Sequence, residues 1–117
     1  MNIESVRLYC LGQKGAIECF PFDDETLVFK VMGKMFACIF LGEPDKLVLK
    51  CEPEYAIELR DKYTAIEPAW HFNKRHWNQH WLSHLDDNLI RSLIDHSYAE
   101  VVKKMTRKMR EELMAMK

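Results

Sequence analysis

Glycine and proline are scarce, four of each in 117 residues, which excludes collagen-like and low-complexity chains. No apolar run approaches the ~18 residues that a membrane-spanning helix needs. Met1 to Arg7 alternates polar and apolar residues and holds no signal-peptide h-region. The four cysteines, Cys10, Cys19, Cys38 and Cys51, include no C-x-x-C pair, so no zinc half-site is legible. Free thiols, mostly buried, in a reducing compartment are the expectation. Neither sign of charge dominates: the net charge is −1, and no global field attracts nucleic acid. A P-loop, a dinucleotide fingerprint and a G-x-S-x-G elbow are all missing. Gly12-Gln13-Lys14-Gly15 is too short to cradle phosphate. These absences point to a cytoplasmic chain without a cofactor, a membrane role or a catalytic centre.

What is present suits one globular domain spanning residues 1–117. Apolar residues are 48% and charged residues 30%, a balance that buries a core of its own. Asn2 can cap a helix whose stripe is Ile3, Val6, Tyr9 and Cys10, closed by Gly12. Ala16 to Phe20 is a short strand candidate, ended by Pro21 and the acidic turn Asp23-Asp24-Glu25. Leu27 to Met32 and Met35 to Leu41 are two β-rich runs around Gly33-Lys34, which reads as a type II′ hairpin turn. That turn pairs Met32 with Met35 and Val31 with Phe36. It predicts an inner face of Leu27, Phe29, Val31, Phe36, Cys38 and Phe40, and a mixed face of Val28, Lys30, Met32, Met35, Ala37 and Ile39.

Lys46 to Cys51 alternates, with Leu47, Leu49 and Cys51 inward and Val48 outward. Pro53 suits the first turn of a second helix, with Ala56, Leu59 and Tyr63 facing in. Residues 65–73 read as irregular because Pro68 interrupts them. His76 to Leu82 reads as a fifth strand, with Trp77, Gln79 and Trp81 on one face. Asp86 or Asp87 opens a long third helix. Thr106 can cap a fourth helix, and the apolar stripe equally permits one continuous helix. Hairpin-type connections imply an α+β, two-layer sandwich: an antiparallel sheet of about five strands with helices packed on one face.

Phe20-Pro21-Phe22, Leu27-Val28-Phe29-Lys30-Val31, Gly33-Lys34-Met35-Phe36-Ala37, and Leu49-Lys50-Cys51 before Pro53 follow one another in an order that resembles the MmcQ/YjbR family. His71-Phe72-Asn73-Lys74-Arg75-His76-Trp77 resembles that family's H-x-N-K-x-x-W stretch, and Leu93 to Tyr98 its late helix. The family pattern has a proline near the start of the last helix, where this chain has Thr106. The resemblance implies a compact α/β domain and a DNA-binding role.

Three clusters could carry function. In the first, Lys74 and Arg75 would meet phosphate, Trp70 or Trp77 would stack on a base, and His71 and Asn73 would donate or accept hydrogen bonds. The bland alternative is a loop whose polar side chains satisfy its own backbone. The second is the basic run Lys103, Lys104, Arg107, Lys108 and Arg110, against which stands an ordinary solvated helix end. The third, His76, His80 and His84, has metal-like spacing only on a helix. On a strand, residues eight apart lie roughly 25 Å apart, so no metal is expected. The resulting expectation is a non-catalytic module that binds DNA. The alternative is a protein- or small-molecule-binding domain, homodimeric through the mixed sheet face.

Overall fold

The computed structural model describes residues 1–116. The helices begin where side chains can satisfy their first backbone N–H groups. In α1, Ile3–Leu11, the Asn2 side chain accepts from the Ser5 N–H at 2.9 Å and the Ser5 hydroxyl accepts from the Asn2 N–H at 3.0 Å. In α2, Pro53–Lys62, the Glu52 carboxylate accepts from the Glu54 and Tyr55 N–H groups, and Pro53 holds the first helical position. Asp86 does the same for α3, Asp87–Lys103.

The fourth helix is separate. Thr106 has extended backbone and accepts from the Met109 N–H at 3.2 Å, opening α4, Arg107–Ala115. Arg110 turns back to donate to the carbonyls of Lys103 and Met105. Those carbonyls, around the C-terminal end of α3, thereby gain a partner, so the stripe continues in phase while the backbone breaks.

The sheet has six strands, every neighbouring pair antiparallel: β1 Ala16–Cys19, β2 Thr26–Val31, β3 Lys34–Phe40, β4 Lys46–Lys50, β5 Ile66–Pro68 and β6 Trp77–Trp81. Their spatial order is β1-β2-β3-β4-β6-β5. The architecture is α+β as expected, with one strand more. The extra strand is β5, inside the stretch expected to be irregular. It has only three residues and ends on Pro68, which suits an edge position and leaves no alternation to read.

The hairpin differs from expectation by one residue, with large consequences. Val31 pairs with Lys34, so the two-residue turn is Met32-Gly33, not Gly33-Lys34. Both turn residues have positive φ, 50° and 78°, the signature of a type I′ turn. Beyond it Lys30 pairs with Met35 but Phe29 pairs with Ala37, so Phe36 is the extra residue of a β-bulge. An extra residue inverts side-chain parity. Ala37 and Ile39 therefore join Leu27, Phe29 and Val31 under the helices, and Cys38 goes to the opposite face with Val28.

The main core lies between sheet and helices. Val6 and Cys10 of α1, Ala56 and Leu59 of α2, Ile90, Leu93, Ile94 and Val101 of α3, and Leu113 of α4 meet the inner face of the sheet. A second, smaller cluster lies on the outer face. Val48, expected to face outward, is buried there with Val28, Cys38 and Ala69 beneath Phe72 and Trp77. Burial pushes the thiols of Cys10, Cys38 and Cys51 up to about 12, so they stay protonated at neutral pH. No described helix is long and apolar enough to cross a membrane.

Candidate nucleic-acid interface

The segment from Ala69 to Trp77 folds back over the outer face because its polar groups are spent on itself. The Asn73 side chain accepts from the Arg75 N–H at 3.0 Å. The Asn73 carbonyl accepts from the N–H groups of His76 and Trp77, both at 3.0 Å, and Ala69 N–H donates to the Trp77 carbonyl at 3.1 Å. Phe72 and Trp77 pack with ring centroids 5.5 Å apart over the small cluster. Arg60 of α2 fastens the loop from below, donating to the Lys74 carbonyl at 3.2 Å and to Asn78 Oδ1 at 2.9 Å. Asn78 is fully buried and passes a further hydrogen bond to the Ala56 carbonyl at 3.3 Å.

This geometry separates residues that are neighbours in sequence. His71 lies at one end of the sheet, in an open depression of about 350 Å³ lined also by Asp23, Glu25, Phe40, Glu43 and Lys46. Lys46 there is closely held: its ammonium lies 3.4 Å from Glu43 and over the rings of Phe40 and Trp81. Lys74 sits 4.2 Å from the ring centre of Trp70, which is 59% exposed, a cation–π contact at the surface. Arg75 lies beside Pro53, Glu54, Ile57 and Arg60. Among the residues of this stretch, Arg75, His76 and Trp77 reach the other end of the sheet.

That other end is basic. Lys50 ends β4 opposite Trp77, which begins β6, and its ammonium lies 6.0 Å from the Trp77 ring centre. The Cys51 N–H donates to the His76 carbonyl at 2.8 Å. Ser97 of α3 ties the helix layer down here, accepting from the Lys50 N–H at 2.9 Å and donating to the Phe36 carbonyl. Six residues later α3 ends at Lys103, with Lys104 as its C-cap. The charges sense one another. Burial, then repulsion by Lys104 and Lys34, lowers the pKa of Lys50, against the pull of Glu100. Burial, then Lys104, Lys50 and Arg75, lowers that of His76. The Nδ1 atom of His76 is buried without a hydrogen-bond partner among the described residues.

Of the basic run, only Lys104 enters this group. Lys103 pairs with Glu100 at 3.0 Å and Arg107 with Glu111 at 3.1 Å, Arg110 is engaged with carbonyls, and Lys108 is exposed on α4. Among the described residues, Lys34, Lys50, Arg75 and Lys104 have no acid within ion-pair distance. Lys34 and Lys50 were not distinguishable in the sequence from other strand lysines. Their place depends on which strand β4 pairs with.

The three histidines of even spacing do not meet. His80 is buried in β6, its Nδ1 2.9 Å from the Leu47 carbonyl. A carbonyl only accepts, so Nδ1 carries the proton, and burial pushes the ring down to about 4. His84 lies in a single 3-10 turn, Leu82–His84.

A family model described as YjbR matches residues 11–100. The uncharacterised protein YjbR of Escherichia coli K12 is 34% identical over 104 residues, covering 87% of this chain and 88% of its own. Protein YbdF of Escherichia coli O157:H7 is 34% identical over 87 residues, 72% of this chain and 70% of its own. The crystal structure of Deinococcus radiodurans protein DR2400 superposes with a TM-score of 0.88 at 38% identity, over 96% of this chain and 87% of that one. A Pseudomonas syringae protein superposes with a TM-score of 0.70 at 27% identity, over 83% and 96% respectively.

Proposed function

We propose that this chain, which belongs to the YjbR family, is a non-catalytic cytoplasmic module that binds nucleic acid through the basic end of its sheet. The observation that carries the reading is Lys50 beside the Trp77 ring at the end of the sheet where the Cys51 N–H meets the His76 carbonyl, with Arg75 preceding His76 in the loop and no acid within ion-pair distance of either cation among the described residues. Cations held this way meet phosphate and make affinity fall with salt. Lys74 over the exposed Trp70 ring adds a basic-aromatic contact in the same loop. The burial of Cys10, Cys38 and Cys51, with their raised thiol pKa values, supports a role without nucleophilic chemistry.

Fluorescence anisotropy against single-stranded and duplex DNA over a salt series tests the proposal. Binding at low salt that weakens steeply with added salt, and is reduced when Lys74 and Arg75 become Ala, is the expected result. Absence of binding at low salt, or indifference to the double substitution, overturns it.

A second reading is self-association without nucleic acid. It is favoured by edge strand β1, where Ile17 is 56% exposed, and by Phe20 and Phe22, 48% and 68% exposed just beyond it. Size-exclusion chromatography with light scattering separates the two. A stable dimer that ignores every oligonucleotide replaces the first reading.

A further inference from the structure

Arg60 is a half-buried cation on α2, and among the described residues no acid lies within ion-pair distance of it. Its Nη1 donates to two neutral acceptors, the Lys74 carbonyl at 3.2 Å and Asn78 Oδ1 at 2.9 Å. Asn78 is fully buried and is itself held by the Ala56 carbonyl. It therefore orients the guanidinium without neutralising it. The Nε and Nη2 donors of the fork are left for a further acceptor.

The walls around Arg60 say what that acceptor is. Arg60 lines a depression of about 260 Å³ together with Pro53, Glu54, Ile57 and Arg75. Arg75 is exposed and, like Arg60, has no acid in ion-pair range among the described residues. Two guanidinium groups thus border one small depression. Pro53 and Ile57 give it an apolar wall, and Ile57 is 52% exposed. Glu54 is the acid among the lining residues, so two cations and one anion leave a single positive charge. The preceding Glu52 carboxylate is spent on the Glu54 and Tyr55 N–H groups. That balance suits a monoanion and disfavours a phosphate dianion. The volume falls below the roughly 300–1,000 Å³ of sites for drug-sized ligands, so the occupant is small. A carboxylate is the planar monoanion that a guanidinium fork grips through two parallel hydrogen bonds. An apolar body attached to it would cover Pro53 and Ile57 and take their surface out of water.

We propose that the depression between α2 and the Asn73 loop binds a carboxylate joined to a small apolar group, as in a short branched acid or the C-terminal residue of a peptide. Arg60, oriented by Asn78, supplies the fork, Arg75 supplies the second cation from the loop, and Pro53 with Ile57 takes the apolar body. The inference goes beyond the nucleic-acid reading and stands without it: Arg75 is common to both, and Arg60 belongs to this site alone.

An NMR titration of the isotope-labelled chain tests it, following the side-chain Nε–H signals of Arg60 and Arg75 and the backbone N–H of Ile57. The probes are isovalerate, isovaleramide, acetate, dimethyl phosphate and acetyl-glycyl-leucine. Isovalerate should give saturable shifts at all three positions and bind at least fivefold tighter than acetate, isovaleramide or dimethyl phosphate. Arg60→Gln and Arg75→Gln should each weaken it about tenfold, and Ile57→Ser should bring it down to the level of acetate. Lys62→Gln, on the same helix but outside the depression, should leave it unchanged. Arg60 also fastens the loop, so Arg75→Gln and Ile57→Ser, at exposed positions, read the site even where Arg60→Gln folds poorly. Shifts that do not saturate, or that survive both Arg75→Gln and Ile57→Ser, overturn the site. Isovaleramide or dimethyl phosphate binding as tightly as isovalerate overturns the carboxylate assignment, and the dimethyl phosphate result leaves the nucleic-acid reading standing. With isovalerate bound as expected, a tighter peptide acid identifies a chain terminus as the occupant and a weaker one identifies a free acid; each supports the site.

Discussion

The hydroxyl of Ser97, fully buried on α3, donates to the carbonyl of Phe36, the bulge residue of β3. Through the same oxygen it accepts from the Lys50 N–H at 2.9 Å. One side chain thus joins the helix layer to two strands at the place where the ladder is interrupted.

Ser97→Ala leaves a buried carbonyl and a partly buried N–H without partners. The expected loss is about 1–3 kcal/mol, read as a lower urea midpoint with an unchanged slope. A loss below ~0.5 kcal/mol would mean that water or a backbone shift replaces the bond.

Gly15 has φ of 73°, and a Cβ placed on it would stand 2.7 Å from Leu113 Cδ1 and 3.1 Å from the Met116 sulfur. Gly15→Ala therefore combines left-handed backbone strain with overpacking against α4. A loss of about 1–3 kcal/mol is expected. Pairing it with Leu113→Ala separates the two costs, since the smaller side chain relieves only the clash.

His80 fixes a pH dependence. Its pKa falls from 6.5 to about 4 on folding because burial disfavours the charged ring. Between those values the unfolded chain binds a proton that the folded one refuses. Stability is full above pH 6.5 and declines as pH drops towards 4, by up to about 3 kcal/mol. His76, lowered by burial and by neighbouring cations, acts in the same direction. Denaturation midpoints measured at pH 7, 6, 5 and 4 should fall more steeply in the wild type than in His80→Gln. Parallel curves would remove His80 as the cause.

Thiol reactivity distinguishes the cysteines. Cys19 is half-buried, whereas Cys10 and Cys38 are fully enclosed and Cys51 nearly so. In native protein a thiol-disulfide reagent should titrate one group quickly, and the other three only on unfolding. Rapid reaction of more than one thiol would contradict the burial of Cys10, Cys38 or Cys51.

Much of the secondary structure was legible because it depends on local chemistry. Asn2, Asp86 and Thr106 mark helix starts through hydrogen bonds spanning at most a few residues, and Pro53 through its fixed φ at the first helical position. The strand alternation of β4 and β6 follows from side-chain period alone. The family resemblance was legible too, in blocks such as His71 to Trp77. Two short-range features escaped. The Met32-Gly33 turn places a methionine at positive φ, against its own preference, because the rest of the hairpin and its bulge settle the register. Strand β5 is too short to show a period.

The candidate site lay further from reach. Lys74, Arg75 and His71 are adjacent in the chain, yet the loop that Asn73 organises sends them to different places. Lys34, Lys50 and Lys104 are far apart in the chain, yet the β3–β4 pairing sets Lys34 and Lys50 towards one end of the sheet and the Ser97 anchor holds α3 against it. What the amino-acid sequence determined by itself was most of the elements, their caps and the family. Which charges meet was decided only by the tertiary structure, because Coulomb interactions act through distance in space and the chain brings those distances about only when the sheet closes.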